Sequence, residues 1–170
     1  MKKFARIVGT GSYLPPRIIT NSELEKSLDT TDEWITSRTG IKERRLLKEK
    51  GEGTSYLAIK AAQDLIKKAN LNPKDIDALI MSTATPDMPV APTGVYVASK
   101  IGAVNAFSFD LTAACSSFLY GIATAATYIE SGRFKKVLLI GADKMSSIID
   151  YEDIATSIIF GDGGGAVLFE

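Results

Sequence analysis

Histidine is absent from the 170-residue chain, and there is a single cysteine, Cys115. With no second cysteine an internal disulfide is excluded, which suits a reducing compartment and leads to the expectation of a cytoplasmic protein. Asp32, Glu33, Asp110 and Asp162 have no recognisable metal-ligand spacing, so without histidine or a second thiol a zinc or iron centre is not expected. An excess of one charge is also missing: 20 Lys and Arg cancel 20 Asp and Glu. The tightest basic cluster, Lys42-Glu43-Arg44-Arg45, is short and diluted by glutamate, so neither nucleic acid nor an anionic membrane surface is an expected partner. No apolar run reaches the roughly 18–20 residues that span a bilayer. Met1-Lys2-Lys3-Phe4 has a basic start, but Arg6 interrupts the apolar stretch, and Gly9, Gly11, Pro15 and Pro16 follow. That pattern reads as a first strand, not a secretory signal.

What remains is a chain of one-domain size, 45% hydrophobic and 24% charged, as in folded globular proteins. Buried-type strands are expected at Phe4 to Gly11, Asp77 to Thr83, Ala106 to Leu111, Lys136 to Gly141 and Gly165 to Phe169. Asn21 and Thr30 or Thr31 are candidate N-caps of two short helices. Thr54 to Ala69 is amphipathic, with Leu57, Ala58, Ala61, Ala62, Leu65, Ile66 and Ala69 on one face. Helices are also expected from Thr93 to about Ile101 and from Cys115 to Ser131-Gly132, the last with Leu119, Ile122, Ala126 and Ile129 inward. Alternating strands and helices predict a three-layer α/β/α domain spanning residues 1–170 around a mixed five-stranded sheet. The sequence stops inside an apparent strand, Leu168-Phe169-Glu170, which leads to the expectation that it is a piece of a longer protein.

Cys115 follows an apolar strand and the small residues Ala113 and Ala114, and precedes a helical pattern. A strand-to-helix turn sets free backbone N–H groups beside the sulfur, which favours the nucleophilic thiolate. A cysteine among small residues equally suits a packing position, and no histidine is present to act as its base. Trp34 and Arg38 lie one helical turn apart, where an indole and a guanidinium could grip a planar anion or serve merely as anchor and solvated charge. Gly161-Asp162-Gly163-Gly164-Gly165 lacks the Lys-Ser/Thr of a phosphate-binding loop and precedes a strand. It reads as a tight turn needing positive φ and close backbone approach.

Three segments together resemble β-ketoacyl-acyl-carrier-protein synthase III. They are the stretch from Asp29-Thr30-Thr31-Asp32-Glu33-Trp34 through Arg38-Thr39-Gly40 to Arg45, the stretch Asp110 to Phe118 around Cys115, and Phe160-Gly161-Asp162-Gly163-Gly164-Gly165-Ala166. All occur in the family's order and spacing. The resemblance implies a thiolase-like fold built of two similar halves, of which this chain is the N-terminal one. The family's catalytic His and Asn would then lie in the other half.

The resemblance further implies an acyltransferase that begins fatty-acid synthesis. An acyl group passes from acyl-CoA to Cys115 and condenses with decarboxylating malonyl-acyl-carrier protein. Thr30, Trp34 and Arg38 would hold the nucleotide end of coenzyme A, with Met88, Ile159 and Phe160 as further substrate-binding positions. No cofactor is implied beyond the substrate acyl-CoA. A homodimer is implied, paired through the strand at about Phe107 to Leu111. Many members carry Phe where Met88 aligns, which suggests a longer or branched primer, and Ile154 falls where some carry an adenine-stacking Arg. Two alternatives stay open: a thiolase-fold relative making another acyl-derived metabolite, and a non-catalytic half that only pairs with a complementary chain.

Overall fold

The computed structural model describes residues 4–48 and 51–170, so the basic start Met1-Lys2-Lys3 lies outside the described residues. Seven strands are assigned there: β1 (Ile7–Tyr13), β2 (Arg17–Thr20), β3 (Glu43–Leu46), β4 (Ala78–Ser82), β5 (Phe107–Leu111), β6 (Val137–Lys144) and β7 (Asp162–Phe169). Five form the main sheet in the order β1-β7-β6-β4-β5, and β2 pairs with β3 in a small sheet of their own. In the main sheet β4 runs parallel to β5 and β6, while β7 is antiparallel to both β6 and β1. The sheet is therefore mixed, as expected.

The helices are α1 (Asn21–Leu24), α2 (Asp32–Thr39), α3 (Thr54–Ala69), α4 (Thr93–Ile101), α5 (Ser117–Glu130) and α6 (Ile154–Ser157). Strand alternation sends successive side chains to opposite faces, and both faces are covered. Leu79, Met81, Leu138, Ile140 and Leu168 pack with Leu57, Ala61, Leu65 and Val97 of α3 and α4. Ala78, Ile80, Val137, Leu139 and Phe169 pack with Ala125 and Ile129 of α5 on the other face. Each large aliphatic side chain removed from water contributes about 1.5–3 kcal/mol, so these two clusters hold the three layers together.

Close approaches depend on missing side chains. A Cβ on Gly11 would sit 2.4 Å from both the Ala61 carbonyl oxygen and the Leu65 nitrogen, so β1 lies against the backbone of α3. A Cβ on Gly121 would meet Leu139 Cδ1 at 2.4 Å, which lets α5 settle onto β6. This corrects the inner face of that helix. Leu119 is 66% exposed, while Gly121, Ala125 and Ile129 are buried. Size misled here, because the tightest contact selects the smallest residue. Ala69, at the end of α3, is exposed, although its Cβ still faces Gly9 of β1.

Local chemistry adjusts other expectations. The N-cap of α1 is Thr20, which accepts from Glu23 N, and Asn21 is instead buried within the helix. Thr31 caps α2 by accepting from Trp34 N. The strands β2 and β3 were not expected, because Arg44 and Arg45 read as a surface charge cluster. Arg44 is in fact buried, donating to the Ile158 carbonyl and to Asn21 Oδ1. The glycines at 163–165 form the opening of β7 rather than a turn. Positive φ among described glycines occurs at Gly40, Gly51, Gly102 and Gly132, so the conformational half of that reading is wrong. The close-approach half holds: a Cβ on Gly164 would lie 2.8 Å from the Leu57 carbonyl oxygen.

Candidate active site

Cys115 stands in the middle of a single 3-10 turn, Ala114–Ser116, between the end of β5 and the start of α5. The thiol is free and exposed. Ala114 has φ +46°, a left-handed conformation that a residue with a Cβ adopts only at a cost of roughly 1–2 kcal/mol. Strain of this kind persists where surrounding contacts impose it. The turn therefore places Cys115 just before α5, on a cleft floored by the ends of β4 and β6.

The sulfur-bearing residue opens on a cleft of about 700 Å³ lined by Leu14, Ser82, Ser117, Phe118, Asp143 and Phe160, among others. Gly163, Gly164 and Gly165 line it as well, and a Cβ on Gly165 would meet nothing within 4 Å. Bare backbone on that wall keeps room beside the thiol. Because β6 runs on to Lys144, it carries Asp143 to the rim. Asp143 Oδ1 accepts from Thr83 Oγ1 at 3.0 Å, Ala84 N at 2.7 Å, Thr85 N at 3.1 Å and Thr85 Oγ1 at 3.0 Å. That carboxylate fixes the loop after β4, whose Ala84 also lines the cleft. Asp162 is buried and accepts from Leu47 N, Ser146 N and Ser146 Oγ, tying the start of β7 to the segments that follow β3 and β6. Asp110 accepts from Thr93 N and Gly94 N, each at 2.7 Å, and so caps α4.

The other predicted site residues are distributed unevenly. Phe160 shares the cleft with Cys115, whereas Ile159 is 46% exposed and is not among the cleft-lining residues. Met88 is exposed and lines a separate cavity of about 400 Å³ with Thr54, Asp87, Tyr96 and Lys144. Trp34 and Arg38 do meet: the guanidinium carbon lies 4.3 Å from the indole centroid, stacked on one face. Thr30 is half-buried in the same loop-helix unit, and its Oγ1 has no hydrogen-bond partner among the described residues. Ile154 packs on the cluster of Ile19, Ile35, Leu46 and Ile158 beneath α2. Sequence reasoning missed Leu14, Ser82, Ser117 and Asp143 as cleft residues. The Ser116-Ser117 pair beside the cysteine was the one available signal.

Residues 109–170 match the family described as 3-Oxoacyl-[acyl-carrier-protein (ACP)] synthase III. The chain is 56% identical over 166 residues to the β-ketoacyl-[acyl-carrier-protein] synthase III of Chlorobium chlorochromatii, covering 98% of this chain and 50% of that protein. It is 51% identical over 167 residues to the Streptococcus mutans enzyme of the same name, covering 98% of this chain and 51% of the relative. Among solved structures it superposes on the Aquifex aeolicus 3-oxoacyl-[acyl-carrier-protein] synthase III with TM-score 0.93 at 47% identity, covering 97% of this chain and 53% of that one. The priming β-ketosynthase of the R1128 polyketide pathway gives TM-score 0.94 at 36% identity, with 99% of this chain and 50% of that one covered. The chain thus spans about half the length of the curated relatives it matches. In sequence and fold the chain is similar to one half of 3-oxoacyl-[acyl-carrier-protein] synthase III.

Proposed function

We propose that this chain is the N-terminal, nucleophile-bearing half of a condensing enzyme that begins fatty-acid synthesis. The observation that carries this reading is the exposed Cys115 on a strained turn, opening on a cleft walled by glycine backbone. The Cys115 thiolate attacks the thioester carbonyl of an acyl-CoA, and its own N–H supplies part of the oxyanion hole. Collapse of the tetrahedral species expels the coenzyme A thiolate and leaves an acyl-cysteine. Malonyl-acyl-carrier protein then loses carbon dioxide, and the resulting carbanion attacks the acyl-cysteine carbonyl. The Cys115 thiolate departs, and 3-oxoacyl-acyl-carrier protein is released.

In this reading a histidine and an asparagine of the second half stabilise the enolate-like species, which accounts for a histidine-free chain. Thr30, Trp34 and Arg38 hold the nucleotide end of coenzyme A, with one indole face already taken by Arg38. Phe160 bounds the acyl group beside Cys115, and Ile159, outside the cleft lining, contacts substrate only beyond it. Met88 acts across a homodimer formed along β5, in whose partner it closes the acyl pocket. A flexible methionine there favours a primer longer or more branched than acetyl. The enzyme works in the cytoplasm and needs no cofactor beyond its substrates.

Radiolabelled acyl-CoA tests the central step. Label should appear on Cys115 when the second half is present and vanish in Cys115→Ala. No labelling with both halves together would overturn the proposal. Acetyl-CoA outcompeting C4–C8 primers by more than about tenfold would remove the chain-length reading. A second reading, a priming ketosynthase of another acyl-derived metabolite, draws on the likeness to the R1128 enzyme. It predicts labelling of Cys115 but no transfer to malonyl-acyl-carrier protein of the fatty-acid pathway.

A further inference from the structure

Beneath the Cys115 turn lie two buried hydroxyls. Ser82, the last residue of β4, is 3% exposed, and Ser117, the first residue of α5, is 5% exposed. Their Oγ atoms are hydrogen-bonded to one another, and Ser117 Oγ also donates to the Ala114 carbonyl at 2.8 Å. A serine hydroxyl has one proton to give. Since Ser117 gives its proton to Ala114, Ser82 must donate to Ser117. The result is a one-way chain, Ser82 to Ser117 to the Ala114 carbonyl.

The direction of this chain matters because of where it ends. Ala114 is the residue held at φ +46°, and its carbonyl also accepts the Ser117 backbone N–H. The flanking cap of α5, Ser116, makes no side-chain cap bond, so Ser117 is the side chain that ties the turn to the helix start. Ser82 is paired in register with Leu111 of β5 and Gly141 of β6, so the chain is anchored to the end of an inner strand. Hydrogen bonds in series polarise one another, and buried hydroxyls without partners are costly.

We infer that Ser117, supported by Ser82, is a positioning residue that holds Ala114 in its left-handed conformation and so presents Cys115 at the start of α5. The inference rests on reading Cys115 as the nucleophile. Without the Ser117 hydroxyl, Ala114 relaxes toward an ordinary conformation and Cys115 shifts from its place on the cleft.

The test is the rate of Cys115 alkylation by iodoacetamide in the native protein, followed on the Cys115-containing peptide by mass spectrometry. Ser117→Ala should slow alkylation about three- to tenfold, the scale of one buried hydrogen bond. Ser82→Ala should slow it less, about two- to threefold, because the Ser117 bond to Ala114 survives but loses its polarising partner. Ser117→Thr, which keeps the hydroxyl, should restore a rate within about twofold of wild type. Ser131→Ala removes a serine that donates to a backbone carbonyl at the far end of the same helix, and should leave the rate unchanged.

A folded Ser117→Ala protein alkylated at or above the wild-type rate overturns the inference. Should that variant not fold, a wild-type rate in Ser82→Ala overturns it instead. The readout is independent of acyl transfer. If wild-type Cys115 were never acylated by acyl-CoA, the proposed function would fail while the alkylation series still decided this point.

Discussion

Arg44 Nε donates to the Ile158 carbonyl at 2.8 Å, joining β3 to the segment that leads into Phe160 and the Cys115 cleft across 114 positions of sequence. The same guanidinium donates to Asn21 Oδ1, and Asn21 Nδ2 donates in turn to Asp32 Oδ1 at 2.6 Å and to the Ile41 carbonyl at 2.8 Å. One buried network therefore links α2, which carries Trp34 and Arg38, to the wall of the cleft. Arg44→Met would leave the Ile158 carbonyl and Asn21 Oδ1 without donors. A stability loss of about 2–4 kcal/mol in urea unfolding is expected. Arg44→Lys should recover only part of it, because one ammonium cannot reproduce the planar fork. An Arg44→Met protein as stable as wild type would mean that another donor reaches the Ile158 carbonyl.

Gly11→Ala should be strongly destabilising although its backbone conformation is ordinary. The added methyl meets backbone atoms of α3, which cannot rotate away as a side chain can. Overpacking of this type costs roughly 1–3 kcal/mol. Gly165→Ala is the matching control, since its Cβ would enter open space. Thermal unfolding should separate the two variants clearly. Equal midpoints would contradict the packing described for β1 on α3.

Asp64 gives a pH dependence with a definite sign. Lys68 Nζ donates to Asp64 Oδ2 at 2.6 Å and Ser12 N donates to the same oxygen at 3.0 Å. These bonds, the Lys68 one first, hold the carboxyl below the usual aspartate range. A depressed folded value stabilises the protein above the unfolded value of about 3.9, and that contribution is lost as pH falls through the folded value. Asp64→Asn should therefore be less stable than wild type at pH 7. The gap in urea midpoint should close on acidification below the aspartate range. A gap that persisted at low pH would assign the effect to something other than the charge.

Trp34 and Arg38 should separate binding from chemistry. Aromatic stacking on a base is worth about 1–3 kcal/mol by alanine substitution. On the proposed function, Trp34→Ala in the chain joined to its second half should raise KM for acyl-CoA by about five- to a hundredfold while kcat changes by less than about twofold. A fall in kcat with KM unchanged would move Trp34 from nucleotide binding to the reacting end.

The main sheet was largely legible because β4 and β6 are unbroken apolar runs and α3 has a clean helical stripe. The β2–β3 pair was not, because Arg44 looks like a surface charge until the Ile158 carbonyl comes round to meet it. Leu119 was misplaced for a related reason: hydrophobicity says that a residue prefers burial, not which face a glycine has already claimed. At the site, Cys115 was visible as the only thiol beside small residues. Ser82, Asp143 and Leu14 were invisible because their chemistry is common and their relevance comes only from position.

The sequence by itself determined the order of the elements, the unique cysteine and the likeness to a known family, since these follow from periodicity, from a single side chain and from local motifs. Only the tertiary structure decided that Ser82 meets Ser117, and that Phe160 shares a cleft with Cys115 while Met88 lies in another cavity. Those facts depend on contacts between residues far apart in the chain. Such contacts arise when two packed layers bring them to one place, and no local pattern encodes them.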